Sequence, residues 1–383
     1  MKKSMIKKLA VTVISALTVI TMSAAAYADD IPLRGGNDGT SVNITKEMSV
    51  SNPDLLSVDG PGASYSYSIA PVEPSDDNGG TTVTDSNNNS ATVHKGPQGG
   101  VTLTVSSASF PVGAALDSSA EGTVNTKYIT AAATVTAFSS PGIYRYEITE
   151  TADLGSAGVT DTGDRVRYLD VYVINSDDGL TVSGFTLHDK FNNKTEGFNG
   201  ASAGPGEPFT GAATFETVNL TLTTEIKGNM GDKQNQFPFA GTVNDGGRYF
   251  FASKGSAPAA AEASKVSGTS VSTTLSDGEV YYLSGLSKTA TVAYTETNNT
   301  EDTYKISVSG VRDIEQTAVA PNGTKEMPAT TVTDAKDVTF TNTLNSVSPT
   351  GVAMRFGAPM VMLALGTLLF SLNRKSDKTT GAC

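Results

Sequence analysis

Between residues 41 and 344, apolar side chains recur at every second position, in short runs broken by Gly, Asn and Asp. A period of two puts successive side chains on opposite faces of an extended strand, whereas a helix would need apolar residues three and four apart. Runs of this kind occupy 42–50, 65–69, 101–105, 142–149, 168–174 and 180–187, and a second series begins at 218–226 and ends at 338–344. Polar stretches at 75–80 and 85–90 read as loops. The same region is rich in Thr, Val, Ser, Gly and Asn and carries no long helical repeat. Many short alternating strands with regular turn signals predict an all-β chain of sandwich type.

The two series form a degenerate repeat. Each opens on a strand, carries a run ending in Glu, and closes on an apolar strand around Phe. The middle runs are Tyr146-Glu147-Ile148-Thr149-Glu150 and Val292-Ala293-Tyr294-Thr295-Glu296, and the closing runs hold Phe215 and Phe340. A Gly/Pro-rich stretch, 200–211, precedes the first closing run. Each half is long enough to bury its own core. We therefore expect two immunoglobulin-like sandwiches in tandem, 41–217 and 218–346, joined near 216–220 and preceded by a flexible leader at 29–40.

The two ends carry a different kind of signal. Residues 1–28 combine lysines, an apolar stretch from Leu9 to Met22 and the exit Ala26-Tyr27-Ala28, the pattern of a secretory signal peptide cut after Ala28. At the other end, 347–383, Val347-Ser348-Pro349-Thr350-Gly351 precedes an apolar run from Phe356 to Leu372. Arg374 and Lys375 follow it. This order resembles the cell-wall sorting signal of Gram-positive bacteria, with Val347 and Ser348 departing from its usual Leu-Pro. The resemblance implies that a sortase cleaves between Thr350 and Gly351 and joins Thr350 to peptidoglycan or to another subunit. The apolar run would then sit in the membrane as a helix only in the precursor.

Between those two cuts remain 19 basic and 38 acidic residues, a net charge of about −19. Such a surface repels nucleic acid and anionic lipid. The single cysteine, Cys383, lies in the discarded tail, so the exported part must be stabilised without disulfides. His94 and His188 are the only histidines, lie far apart and are read as solvent-facing. They give no basis for a catalytic triad or a zinc site. The chain is read as a non-enzyme without cofactor or metal, and the Asp/Asn tract at 85–89 as a loop.

The phrases Gly142–Glu150, Arg167–Val173, Lys227–Asp232, Phe237–Phe239 and Phe340–Asn342 together resemble the streptococcal-type pilin isopeptide-linkage family, related to collagen-adhesin B-type domains. The resemblance spans most of 41–344. It implies amide bonds between a Lys on a first strand and an Asn on a last strand, promoted by a buried acid. Burial favours the neutral amine and the protonated carboxyl that this chemistry needs. Alternation tests the candidates. Lys46 shares a face with Val42, Ile44 and Met48, which aims it into the core, and Glu150 shares one with Tyr146 and Ile148. In the first unit the expected Asn position holds Thr217, leaving Asn219, two residues late, as the acceptor candidate. In the second unit Glu296 and Asn342 face the core, but Thr224 stands where the Lys belongs and Lys227 is of the wrong parity. Glu296 and Asn342 are therefore expected to be satisfied polar core residues without a crosslink. The family also implies an exposed lysine that attacks the acyl-sortase, for which Lys194 and then Lys190 are the candidates. A pilus subunit and a singly anchored adhesin both fit these features.

Overall fold

The computed structural model describes residues 39–84, 88–256 and 264–346. The signal-peptide residues with Ala28, the sorting signal with Thr350 and Gly351, and Cys383 all lie outside them. The described residues form strands and two single-turn 3-10 helices, with no α-helix among them. The all-β expectation holds.

Two core clusters organise the strands. In the first half, β1 (Ser41–Ser51) and β3 (Thr123–Ala133) lie in a ten-stranded sheet. They face a seven-stranded sheet that contains β2 (Ala63–Pro71), β4 (Gly142–Asp153), β5 (Val166–Ser176) and β6 (Gly179–His188) in the order β6-β5-β4-β2. Val42, Ile44, Met48 and Val50 of β1 pack with Tyr146, Ile148, Leu169, Val171, Phe185 and Phe215. Burial follows the alternation read from the sequence.

The second half uses the same plan. Strands β7 (Ala213–Lys227), β9 (Val280–Ser287), β11 (Tyr304–Ser309) and β13 (Lys336–Thr343) continue the ten-stranded sheet. They face a four-stranded sheet holding β8 (Phe237–Asn244), β10 (Thr291–Thr297) and β12 (Thr324–Thr331). A separate core from Val218 to Phe340 fills the space between.

The junction lies inside a strand. A boundary was expected near 216–220, yet β7 is one unbroken strand. Its odd residues Ala213, Phe215 and Thr217 are buried in the first half, and its even residues Leu220, Leu222, Thr224 and Ile226 in the second. The change of parity falls between Thr217 and Val218, both buried, and beside it the partner strand β9 carries one unpaired residue, Gly285. Successive side chains of a strand point to opposite faces, so one strand serves two cores.

The halves also touch through buried polar groups. Arg248 is 3% exposed and donates to the carbonyls of Asp59 (2.7 Å) and Gly60 (3.2 Å) in the first half. It pairs with Asp245 at 2.7 Å and stacks on Phe215. The Asp59 carboxylate accepts the Tyr249 N–H at 2.7 Å.

Candidate functional site

Lys46 lies on the core face of β1 and is fully buried. Its Nζ donates to Asp161 Oδ2 at 2.8 Å, the Phe198 carbonyl at 3.0 Å and Glu150 Oε1 at 3.3 Å. The Tyr65 ring lies 4.2 Å away. Glu150 comes from β4 across the core, and Tyr67 donates to its second oxygen at 2.6 Å. Arg165 pairs with Glu150 and, at 3.0 Å, with Asp161. Two cations thus meet two carboxylates. Burial pushes the Asp161 carboxyl up, but its bond to Lys46, the Gly163 N–H and Arg165 outweigh that and hold it below the ordinary value. The site is a cluster of two basic and two acidic side chains.

The segment around Phe198 reaches Lys46 because Gly197 lies flat on β1. A Cβ there would meet the Thr45 carbonyl oxygen at 1.9 Å. The Thr45 N–H and C=O bond Glu196 and Phe198 on either side.

No asparagine reaches Lys46. Asn219, the sequence candidate, accepts from Asn52 at 3.1 Å and from the Gly285 N–H at 3.2 Å, and donates to Asp54. Thr217 likewise bonds Asn52. Both lie at the junction, beyond Glu216, the last β7 residue paired with β1. Asn199 bonds Thr45 and the Glu47 N–H. The residue of β7 paired with Met48 is Ala213. Asp161 and Arg165 were missed because they precede β5 in a loop, where alternation gives no facing direction.

In the second half Glu296 and Asn342 do meet: the Asn342 amide donates to Glu296 Oε1 at 2.7 Å, and both residues are fully buried. Burial pushes the Glu296 carboxyl up to about 8, with the Asn342 bond pulling the other way. Glu296 Oε2, Asn342 Oδ1 and Thr224 Oγ1 have no protein partner. The pair is therefore not fully satisfied, contrary to expectation. Lys227 is exposed and pairs with Glu225. A second core-facing lysine was overlooked. Lys325 of β12 pairs in register with Glu296, and its Nζ donates to the Glu315 carbonyl at 2.7 Å and Thr317 Oγ1 at 3.0 Å. Desolvation lowers its pKa.

His188 corrects another expectation. It is fully buried rather than solvent-facing, whereas His94 is exposed. Its Nδ1 lies 2.7 Å from the Asp189 carbonyl and its Nε2 3.4 Å from Asp170. Arg145 holds the same Asp170 by two 2.7 Å bonds and ties down the 78–80 loop through the Asn78 and Gly80 carbonyls. A loop covers this outer face of the sheet, so residues that alternation places outside are buried. Lys190 and Lys194 sit exposed on the adjoining loop, which Asp189 and Asn193 brace by hydrogen bonds.

Residues 218–344 match a family described as a domain of unknown function, DUF7601. No curated protein sequence matches the chain. Among solved structures, the chain is similar to a major pilin from Streptococcus pyogenes, with 16% identity and a TM-score of 0.48 over 81% of this chain and 100% of that one. The major pilin T3.2 from the same organism gives 17% and 0.46 over 79% and 97%. A pilus-presented adhesin gives 16% and 0.26 over 47% and 37%. At these scores no residue-by-residue correspondence is carried over.

Proposed function

We propose that this chain is a structural cell-surface subunit of pilin type, built of two domains at 41–217 and 218–346 and joined by a sortase through Thr350. The observation that supports it best is the buried meeting of Lys46 on the first strand with Glu150 on the facing sheet. A lysine is seldom placed in an apolar core, and this one falls where the sequence resemblance expects it. Glu296 with Asn342 repeats the acid–amide half of that arrangement in the second unit.

The crosslink itself is read differently in each unit. In the first, Asp161 and Glu150 balance Lys46, with Arg165 as a second cation, and no asparagine side-chain amide lies at its Nζ. An ionic tie takes the place of a covalent one. In the second, acid and amide are together and the amine is missing from position 224. Intact mass of residues 29–350 under denaturing conditions tests this. The sequence mass is expected. A deficit of one ammonia would show a Lys–Asn amide, and a deficit of one water a Lys46–carboxylate amide; either would overturn the ionic reading.

Covalent assembly is tested on cells that carry the cognate sortase. A detergent-resistant ladder of this chain is expected from wall extracts, lost in Thr350→Ala. Lys194→Ala, or Lys190→Ala, should remove the ladder but leave the anchored monomer. A single anchored band in the wild type would favour the adhesin reading.

A further inference from the structure

We infer that the chain is a tension-bearing element in which a pull along its length is resisted by two parallel strand ladders in series, coupled through β7. The inference rests on strand pairing and does not depend on how the subunit is anchored.

In each unit the first and last strands are parallel neighbours. Residues 48–51 of β1 pair with 213–216 of β7. Residues 220–227 of β7 pair with 336–343 of β13. The strand that closes the first unit therefore opens the second, with no linker between. A pull at the N-terminal end draws β1 backward while β7 is drawn forward. The two strands slide against each other, and every bond of the ladder is loaded at once. The same holds for β7 against β13. Antiparallel neighbours pulled apart at one end would instead lose their bonds one by one.

Side chains reinforce both ladders. Lys46 projects from β1 and binds Asp161 and Glu150 across the core, which opposes sliding of β1. Thr221 bonds Asp337, and Thr341 bonds Glu225, between β7 and β13. Arg248 and Asp59 clamp the two units beside the shared strand. The first ladder spans four residue pairs and the second eight, so the first unit yields at the lower force.

Single-molecule pulling of residues 29–350 between its ends tests this. Two steps are expected, roughly 60 nm for the first unit and then roughly 45 nm for the second, at about 3.5 Å of extended chain per residue. The same chain is then held through cysteines introduced by Ser309→Cys and Lys336→Cys, at neighbouring ends of the antiparallel β11 and β13; the native segment has no other thiol. Circular dichroism confirms that this variant is folded. The force through that pair should fall severalfold below the end-to-end force for the same unit. Equal forces, or a single step of the combined length, would overturn the inference. A first step shortened by a fixed length would reveal a covalent tie in the first unit and so refute the ionic reading, while the force comparison would still decide the ladder.

Discussion

At the scale of single residues, the two units place titratable groups in opposite situations. Lys46 is balanced by Asp161 and Glu150, so Lys46→Met strands carboxylates in a core with only Arg165 beside them. Breaking one side of a buried pair costs about 3–5 kcal/mol, and calorimetry should show the first unit's transition falling while the second stays. The pH responses differ in sign. Asp161 has a folded-state pKa below its ordinary 3.8, so its stabilisation is present above that value and is lost as pH falls through the lower one. Glu296 is pushed up to about 8 from 4.5, so the folded second unit holds a proton that the unfolded chain has released. That unit should lose stability as pH rises from 4.5 to 8, by at most about 5 kcal/mol at 1.36 kcal/mol per pKa unit. Glu296→Gln should flatten the profile across this window, as measured by urea unfolding at several pH values. A slope that survives the substitution would clear Glu296 of the effect. Thr224→Lys supplies the missing amine beside Glu296 and Asn342. If the pocket retains the chemistry, the intact mass falls by one ammonia, and Asn342→Ala in the same background restores it.

At the scale of elements, β7 is the part whose sequence is least replaceable. Its apolar residues change parity between Phe215 and Leu220, so its two faces serve different cores. Deleting Val218 shifts every later residue of the strand to the opposite face. Leu220, Leu222 and Ile226 would then turn toward solvent while the residues before the deletion kept their places. The second unit should fail to fold and the first should survive, seen as one remaining calorimetric transition and a stable proteolytic core. Retention of both transitions would show that the strand can shift its register elsewhere.

At the scale of the whole molecule, rigidity depends on a small buried contact. Arg248 reaches the Asp59 and Gly60 carbonyls from the second unit and is neutralised by Asp245 on its own side. Arg248→Met leaves Asp245 without its cation and removes the two bonds that Arg248 makes across the junction. The units should keep their separate cores but lose their fixed angle, read as a broader distance distribution in solution scattering. An unchanged distribution would mean that the continuous β7 alone sets the angle.

The alternating pattern determined much by itself, because a period of two leaves only one way to bury each run. It placed β1, β4, β5 and β6, aimed Lys46, Glu150, Glu296 and Asn342 into cores, and turned Lys227 outward. Neighbourhood across the fold was another matter. Asp161 and Arg165 reach Lys46 from a loop, and loops carry no period. His188 and Arg145 lie beneath a covering loop, where burial comes from a distant segment rather than from strand parity. Asn219 has the right parity counted along the sequence from Phe215, but it lies beyond the β1–β7 ladder, which ends at Ser51 and Glu216, and bonds Asn52 and Asp54 instead. Facing direction is a local property of the strand and can be read from its residues; partnership depends on contacts between distant segments, which only the tertiary structure settles.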